Sequence, residues 1–339
     1  MKVLVTGSAG FIAGYLIEEL LNHEYYVVGI DNYSKYGVVE KSYSNHANYN
    51  FFMGDAADVD LLKQLAADCD YIIAGAARIG GITYFHEYAY DLLAENERIC
   101  AATFDAAIHA FKHKKLKKIL ALSSSMVFEN ATEFPTPERH IKECPPPSST
   151  YGFQKLAVEY FVKGAFEQYG LPYTIVRPFN CVGTGEGRAL NSKNIPSGNI
   201  SLAMSHVVPD LVQKALKSQY PLHILGDGKQ VRHYTYGGDL AKGIRICLEH
   251  PLALNEDFNL STTTRTTVLE LARKIFSKIH SDKPFQYVSD PPYRYDVQYR
   301  SPDVVKAKSL LAVECTTTLD DMLDEVIPWI AKAIKHNRI

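Results

Sequence analysis

The chain has 339 residues, of which 46% are hydrophobic, and a formal net charge of −2 at pH 7. This length allows a large core and two lobes, and the balanced charge excludes nucleic acid and the membrane surface as expected partners. No apolar run has the length of a membrane span. The six cysteines are scattered without a CxxC pair, and the chain opens on a strand. We therefore expect a cytoplasmic enzyme without a metal site.

The first predicted strand, which includes residues 3–5, runs into a glycine-rich turn and then into an amphipathic helix. Gly7 and Gly10 allow the backbone to approach a pyrophosphate, and the helix N-terminus offers free N–H groups and a partial positive charge. Phe11 and Ile12 open that helix. Strand, turn and helix together predict a dinucleotide site at the start of a doubly wound α/β sheet.

The second and third predicted strands both end at an acidic residue. Asp31 follows the second strand, where a carboxylate binds the adenosine ribose hydroxyls and repels a 2′-phosphate, which favours NAD over NADP. Asp55 ends the third strand and is placed to bind the adenine amino group or to cap the next helix, two compatible roles. Asn32 and Ala56, which follow these acids, are included in the predicted cofactor site.

Small residues end the fourth predicted strand, where the backbone approaches the cofactor. We assign Ala76 and Ala77 to the cofactor site and Gly80, in the loop that follows, to substrate binding, because ligands bind at the carboxyl end of such a sheet. A long helix over 88–111 has Asn96 in its interior. Asparagine is unfavourable there unless its side chain has a task, so Asn96 is also predicted to bind the cofactor.

Three further residues carry side chains that can exchange or bind a proton. Ser124 follows the next strand, and Tyr151 and Lys155 lie four residues apart on one face of a later helix. A tyrosine with a pKa near ~10 is a poor base at neutral pH. A lysine cation one helical turn away and a positively charged nicotinamide ring favour its phenolate.

With these residues in place, the chain resembles the extended short-chain dehydrogenase/reductases, the NAD-dependent nucleotide-sugar epimerases and dehydratases. The motifs that carry the resemblance are Thr6–Gly14, Asp31, Asp55, Ser124, Tyr151, Lys155, Arg177–Asn180, Gly226–Gly228, Arg232 and Arg294. The resemblance covers nearly the whole chain. It implies that Tyr151 is the general base and acid on a sugar hydroxyl and that Ser124 binds the same hydroxyl. It also implies that Lys155 lowers the pKa of Tyr151 and holds the nicotinamide ribose.

The resemblance also implies a site for a nucleotide-diphosphate sugar. Asn180, Arg232 and Arg294 would hold the diphosphate and ribose, since the arginine fork binds two oxygens at once. His206 matches the histidine that acts with a cysteine in the GDP-fucose synthases, and we assign it to substrate binding. Alternatively, His206 has no contact with the substrate and only packs at the start of a helix.

Two departures from the family pattern narrow the predicted reaction. The GDP-mannose 3,5-epimerases and GDP-fucose synthases have a proton-exchanging cysteine at the position of Met126, which we count as substrate-binding. The sugar 4,6-dehydratases have an Asp-Glu pair at the positions of Ser125 and Met126. The minimal Ser-Tyr-Lys set suffices for reversible oxidation at one carbon. We therefore predict a 4-epimerase acting through a transient 4-keto sugar.

Two alternatives to the 4-epimerase remain. One is a nucleotide-sugar dehydratase or dehydrogenase/reductase that uses His206 or Glu129 as a second acid or base, although Glu129 also reads as a solvated loop residue. The other is a non-catalytic NAD-binding scaffold or sensor on the same fold. The presence of all three catalytic residue types argues against the scaffold.

The predicted fold class is α/β, with a Rossmann-type doubly wound parallel sheet of seven strands and a smaller C-terminal substrate-binding lobe. We expect residues 1–180 to form the NAD-binding domain and 231–259 to return to it. The substrate lobe would comprise 181–230 and 260–298, with a helical segment over 299–339. Family analogy further predicts a homodimer formed through the helices over 88–111 and 151–168.

Overall fold

The computed structural model describes residues 1–79, 88–113, 115–188, 190, 195–202, 206–292, 296–336 and 338–339. Gly80 and Arg294, two of the predicted substrate-binding residues, lie outside the described residues.

The strands of the described residues are, in chain order, β1 (Lys2–Thr6), β2 (Tyr26–Asp31), β3 (Tyr49–Met53), β4 (Tyr71–Ala74), β5 (Lys118–Leu122), β6 (Tyr173–Pro178), β7 (Cys181–Val182), β8 (Ile195–Ser197), β9 (Ile200–Leu202), β10 (Leu222–Leu225), β11 (Val231–Arg232), β12 (Thr235–Tyr236), β13 (Glu256–Leu260), β14 (Thr266–Thr267) and β15 (Tyr287–Asp290). The α-helices are α1 (Phe11–Asn22), α2 (Val59–Ala66), α3 (Ala89–Lys112), α4 (Thr150–Tyr169), α5 (Val207–Leu216), α6 (Gly237–Glu249), α7 (Val268–Ile279), α8 (Val305–Leu311) and α9 (Leu319–Lys335).

The central sheet has seven parallel strands in the order β13-β6-β5-β4-β1-β2-β3. This confirms the predicted Rossmann-type fold class. The strand order reverses beside β1, which pairs with β2 on one side and with β4 on the other. The carboxyl ends of β1 and β4 therefore flank the crevice in which ligands bind in open α/β sheets.

Both faces of the sheet are covered by helices because the buried strands alternate their side chains between two cores. Val3 and Val5 of β1 join the core formed with α1, α6 and α8. Leu4, between them, points to the opposite core, which α2, α3 and α4 cover. Burial of each such aliphatic side chain contributes about 1.5–3 kcal/mol.

A separate core lies among α5, α7, α9 and β10, where Leu211, Ile224, Leu271 and Ile330 are buried together. Two of these helices begin with capping boxes, which satisfy N–H groups at the helix start. The predicted C-terminal segment over 299–339 is divided between two cores, since α8 packs in the core with α1 and α6 and α9 packs here.

Tyr15 of α1 connects the sheet to this separate core. Its hydroxyl donates to Glu325 Oε1 of α9 at 2.9 Å. It also accepts from the backbone N–H of Thr184 at 2.7 Å. Thr184 lies in the segment over 183–199, which is rich in glycine, serine and asparagine and which the sequence predicts to be a substrate loop or lid. One phenol therefore fixes the glycine-turn helix, the start of that loop and the C-terminal helix to one another.

Local chemistry explains two differences from the predicted elements. The sequence predicts a helix from Asp210 to Lys217, but α5 begins three residues earlier, at Val207, because Pro209 is tolerated in the first turn, where no N–H donor is needed. The sequence also predicts a short helix within residues 32–50, and this prediction is wrong, since residues 32–48 form turns and irregular chain. At the start of this segment, Tyr33 and Gly37 adopt positive φ angles of 55° and 70°, which interrupt a right-handed helix. Among the described residues, every helix is too short or too polar to cross a bilayer.

Candidate active site

The glycine turn after β1 is held in a conformation that requires glycine. Gly7 has a φ of +75°, and a β-carbon there would lie 2.8 Å from the Cα of Ala76. Gly10 is the N-cap of α1, and no side chain of the described residues hydrogen-bonds at that cap. The first-turn N–H groups of α1 are thus left for a ligand. Phe11 and Ile12 lie beside them in the cavity wall.

Asp31 is held beside this turn by two backbone N–H groups. Its Oδ2 accepts from Ala9 at 3.0 Å and its Oδ1 from Tyr33 at 2.8 Å. The carboxylate therefore has a fixed position at the end of β2, in the cavity wall. A negative charge there suits ribose hydroxyls and repels a 2′-phosphate.

The end of β3 differs in part from the prediction. Asp55 accepts from the backbone of Ala57 at 2.8 Å and from the Asn32 amide at 3.3 Å, and all three residues line the cavity together with Ala56. The cap of α2 is Asp58, whose Oδ1 accepts from the N–H groups of residues 60 and 61. The predicted helix-capping role of Asp55 was therefore wrong.

Asn96 is buried within α3, and both ends of its amide bind the backbone of Arg78. Its Oδ1 accepts from the Arg78 N–H at 2.6 Å, and its Nδ2 donates to the Arg78 carbonyl at 2.9 Å. Ala76, Ala77 and Arg78 line the cavity. The asparagine that sequence reasoning singled out therefore holds the chain after β4 in place through main-chain bonds.

The structure brings Ser124, Tyr151 and Lys155 into one cavity wall. Ser124 precedes a 3₁₀ turn over Ser125–Phe128, and its hydroxyl accepts from the Met126 N–H at 3.2 Å. The Tyr151 side chain lies near it, and interaction with Ser124 lowers the pKa of Tyr151. The two hydroxyl groups expected to act on the sugar are therefore already adjacent.

The start of α4 is fixed by a residue that we considered as an acid or base. Ser149 caps the helix by accepting from the Gly152 N–H at 3.0 Å. Its own hydroxyl donates to Glu129 Oε2 at 2.7 Å, and its backbone N–H donates to the same oxygen at 3.1 Å. Glu129 is therefore engaged in holding the helix that carries Tyr151.

The environment of Tyr151 acts on its pKa in both directions. Burial raises the pKa of Tyr151 above its ordinary value, while the interaction with Ser124 and the positive charge of Arg300 lower it. Burial lowers the pKa of Lys155 to about 8. The Lys155 ammonium donates to the carbonyl of Leu122 at 3.0 Å, which links α4 to the end of β5.

Two predicted substrate-binding residues lie farther along the cavity. Asn180 has a positive φ of 38°, and its buried Oδ1 has no hydrogen-bond partner among the described residues. Arg232 is nearly buried, with 3.1 Å between its Nη2 and Asp296 Oδ1. An acceptor with a vacant lone pair and an anchored guanidinium both suit a polar, anionic ligand.

His206 faces the cavity and does more than pack at a helix start. Its Nδ1 is hydrogen-bonded to Glu186, whose side chain is almost fully buried. Glu186 lies in the predicted substrate loop. The pair therefore ties this loop to the start of α5, with the histidine ring at the cavity wall.

Arg300 is a site residue that sequence reasoning missed. Its Nη2 lies 2.7 Å from the Met126 sulfur and its Nη1 lies 3.5 Å from the Ser125 hydroxyl. Its buried Nε has no hydrogen-bond partner among the described residues. Burial and the neighbouring Arg232 lower the pKa of Arg300 to about 9. The available signal was a second arginine six residues after the predicted Arg294, in the same polar segment.

One cavity of about 1250 Å³ joins the glycine turn, the Ser-Tyr-Lys set and the arginines. One end has the groups that bind a dinucleotide, namely the Gly7 turn, the N–H groups at the start of α1 and the Asp31 carboxylate. The other end offers cations and polar groups. Fold and site together define an NAD-dependent enzyme of the short-chain dehydrogenase type that acts on a polar, anionic substrate.

Comparison with known proteins gives the family. The model of the NAD dependent epimerase/dehydratase family matches residues 3–261, and the chain belongs to this family. The uncharacterized UDP-glucose epimerase YtcB of Bacillus subtilis is 28% identical, with 98% of each chain covered.

Two solved structures extend the comparison. The UDP-glucose 4-epimerase of Thermotoga maritima with UDP-glucose has a TM-score of 0.80 and 28% identity, with 98% of this chain and 100% of that chain covered. The UDP-glucuronic acid 4-epimerase of Bacillus cereus with UDP-glucuronic acid and NAD has a TM-score of 0.81 and 25% identity, with 98% and 99% covered. These findings confirm the predicted family, NAD as cofactor and an epimerase/dehydratase type of enzyme.

Proposed function

We propose that this enzyme interconverts UDP-sugars that differ in configuration at C4. The observation that carries the proposal is the placement of Ser124 and Tyr151 in one cavity wall, beside a Met126 that cannot exchange a proton. One acid–base group suffices for oxidation and reduction at a single carbon. UDP is proposed because the similar structures from Thermotoga maritima and Bacillus cereus contain UDP-sugars.

Three residues of the chain have direct roles in the proposed reaction. Tyr151 takes the proton of the C4 hydroxyl and later returns it, and Ser124 holds the same oxygen. Bound NAD⁺ supplies the hydride acceptor, and reduction on the other face of the 4-keto sugar gives the epimer. Lys155 anchors α4 at Leu122 and is placed to hold the nicotinamide ribose.

The substrate nucleotide is assigned to the cationic end of the cavity. Arg232, oriented by Asp296, binds the diphosphate, and Asn180 offers its free oxygen to a hydroxyl. His206 contributes its ring to the sugar side of the cavity. Gly80 and Arg294 remain proposed substrate contacts on the family resemblance alone.

NMR of the protein with UDP-, GDP- and dTDP-hexoses tests this proposal, with absorbance at 340 nm followed in the same samples. We expect a C4 epimer without net NADH. Accumulation of NADH, or an unsaturated or 4-keto product, would instead assign a dehydrogenase or dehydratase. A protein that binds NAD but converts no sugar would support the scaffold.

A second candidate, an enzyme of UDP-sugar acids, is favoured by Arg300. Its guanidinium lies against Ser125 and Met126, next to the Ser124–Tyr151 pair, and would bind a carboxylate of the sugar. The similar structure from Bacillus cereus contains UDP-glucuronic acid. A 4-keto sugar with a carboxylate on C5 is a β-keto acid, so release of carbon dioxide is an accessible side reaction.

Competition between UDP-glucose and UDP-glucuronic acid separates the two candidates. A kcat/KM for the acid at least about tenfold higher, lost in Arg300→Met, would assign the sugar acid. Equal or lower kcat/KM for the acid would leave the neutral hexose as the substrate. Trapping of carbon dioxide in the same assay distinguishes epimerisation from decarboxylation.

We also propose an NAD-binding domain over 1–180 and 231–259, a substrate lobe over 181–230 and 260–298, a homodimer and a cytoplasmic location. The large exposed aromatic residues Tyr90 and Tyr160, 78% and 67% exposed, support a dimer through α3 and α4. All six cysteines are free thiols, as expected in a reducing compartment. Light scattering should give a dimer mass for the wild type and a monomer mass for Tyr160→Glu. Val305→Glu, at another exposed apolar position, should remain a dimer.

A further inference from the structure

A buried ionic cluster lies behind the wall of the active-site cavity. Glu159 of α4 and Arg177 of β6 are fully buried. Arg177 Nε donates to Glu159 Oε1 at 2.8 Å, and Arg177 Nη2 donates to Oε2 at 2.7 Å. Two parallel bonds of this kind fix both the distance and the relative orientation of the two planar groups.

The cluster extends to two further elements. The hydroxyl of Ser123, directly after β5, donates to Glu159 Oε1 at 2.6 Å. Arg177 Nη1 lies 2.8 Å from Asp257 Oδ2 of β13. Burial alone would lower the pKa of Arg177, but Glu159 and Asp257 raise it above its ordinary value. The arginine is therefore charged throughout the working pH range.

Each element that meets at Glu159 carries a residue of the active site. Ser123 directly precedes Ser124. Glu159 lies one helical turn beyond Lys155 on α4, the helix that also carries Tyr151. Arg177 lies three residues before Asn180. A change in the length or angle of the Glu159 contacts therefore changes the spacing among these groups.

Stability alone does not explain a charged pair at this place. Desolvation of each buried ion costs several kcal/mol, and an apolar pair of similar volume often gives equal or greater stability. Apolar packing of a helix on a sheet has no fixed direction, however, and tolerates small slides along the helix axis. The bonds from Arg177 and Ser123 to Glu159 are directional and set the axial position of α4.

We propose that Glu159 is a positioning residue that sets the distance between Tyr151 on α4 and Ser124 after β5. The inference rests on the proposed function only in requiring that the enzyme oxidise some nucleotide sugar. A displacement of these groups slows proton and hydride transfer, because transfer rates depend on near-attack geometry. Binding of the substrate nucleotide and of NAD depends mainly on groups away from Glu159, such as Arg232 and the Gly7 turn, and changes much less.

The test compares the kinetics of Glu159→Gln, Ser123→Ala and the wild type on the sugar that the wild type converts best. For Glu159→Gln we expect kcat to fall at least about tenfold, while KM and the Kd for NAD stay within about twofold. Ser123→Ala removes one bond without leaving a charge unpaired, and its kcat should fall by about threefold or more. If Glu159→Gln fails to fold, the kcat of Ser123→Ala alone tests the positioning role.

Thr174→Val is the matched control. Thr174 is fully buried on the same strand as Arg177, and its hydroxyl donates to the Ala253 carbonyl at 2.6 Å, away from α4. This variant should lose stability and keep its kcat. An unchanged kcat in both test variants, or an equal loss in Thr174→Val, would overturn the positioning role. A wild type that converts no nucleotide sugar would contradict the proposed function instead.

Discussion

Arg300 places its guanidinium against the thioether of Met126, with 2.7 Å between Nη2 and the sulfur. Met126 has no exchangeable proton, and the Arg300 guanidinium places a positive charge beside it. The cation acts on the nearby Tyr151, whose pKa it lowers.

Replacement of Arg300 by methionine should therefore move the pH dependence of catalysis. Loss of the positive charge raises the pKa of Tyr151, so less phenolate is present at a given pH. We expect the acidic limb of the kcat profile to shift upward by about one pH unit, with a lower kcat at pH 7. Arg300→Lys keeps the charge and should keep the profile. If the acidic limb of the kcat profile does not move in Arg300→Met but KM rises, Arg300 acts only in substrate binding.

Tyr151→Phe removes the hydroxyl that exchanges the proton with the sugar. Its kcat should fall by about 10²–10⁴-fold, the range for loss of a general acid–base group. The Kd for NAD, measured by calorimetry, should stay within about threefold. Tyr160→Phe makes the same chemical change at an exposed position of the same helix and should keep full activity. Comparable activity in the two variants would show that another group carries the proton.

Asp31→Asn tests the basis of cofactor choice. Removal of the negative charge at the end of β2 should weaken NAD binding and lower the preference for NAD over NADP by about tenfold or more. The Asn oxygen can still accept one of the bonds from Ala9 and Tyr33. Asp55→Asn is the control, since a charge at the adenine end should affect both cofactors alike. Titration of each variant with NAD and NADP gives the ratio.

Lys118 should make stability depend on pH. Its ammonium is buried at the start of β5, donates to the Cys247 carbonyl at 2.8 Å, and has a pKa that burial lowers to about 8. The unfolded chain holds this proton up to pH ~10.4. Between these values the unfolded state binds more protons, so the lysine's contribution to stability increases as pH rises.

Urea unfolding of the wild type and Lys118→Met at several pH values from 7.5 to 10 measures this effect. Relative to Lys118→Met, the wild type should gain up to about 1.4 kcal/mol in the free energy of unfolding per pH unit above about pH 8. Parallel curves for the two proteins would mean that Lys118 titrates normally in the folded state.

Local sequence chemistry predicts a cofactor site from residues that the structure places in one cavity. The Gly7–Gly10 turn, the acid Asp31 and the spacing of Tyr151 and Lys155 are each properties of a few consecutive residues. The seven-stranded parallel sheet, but not its strand order, follows from the alternation of predicted strands and helices. The predicted helix starts were less accurate. The cap of α2 is Asp58 and not Asp55, because several acidic residues near this helix start are able to cap it.

Contacts between distant segments could not be predicted. Arg300 meets Met126 across 174 positions of the chain, and no pattern around either residue indicates the other. His206 was placed by resemblance, yet its Glu186 partner depends on the path of an irregular loop. Glu159 and Arg177 lie in a helix and a strand for which the sequence pattern predicts only buried apolar packing. The pattern therefore did not indicate that these two residues form an ion pair.

The link from Tyr15 to Glu325 has a consequence for how the protein melts. The two residues are 310 positions apart and lie on elements of separate cores, so separation of the two cores breaks this partly buried bond. Heat should therefore disrupt the sheet and the C-terminal helix in a single calorimetric transition. Saturation with NAD, which we propose to bind at the glycine turn, should raise the midpoint for the whole chain. Tyr15→Phe should separate the transition into two steps.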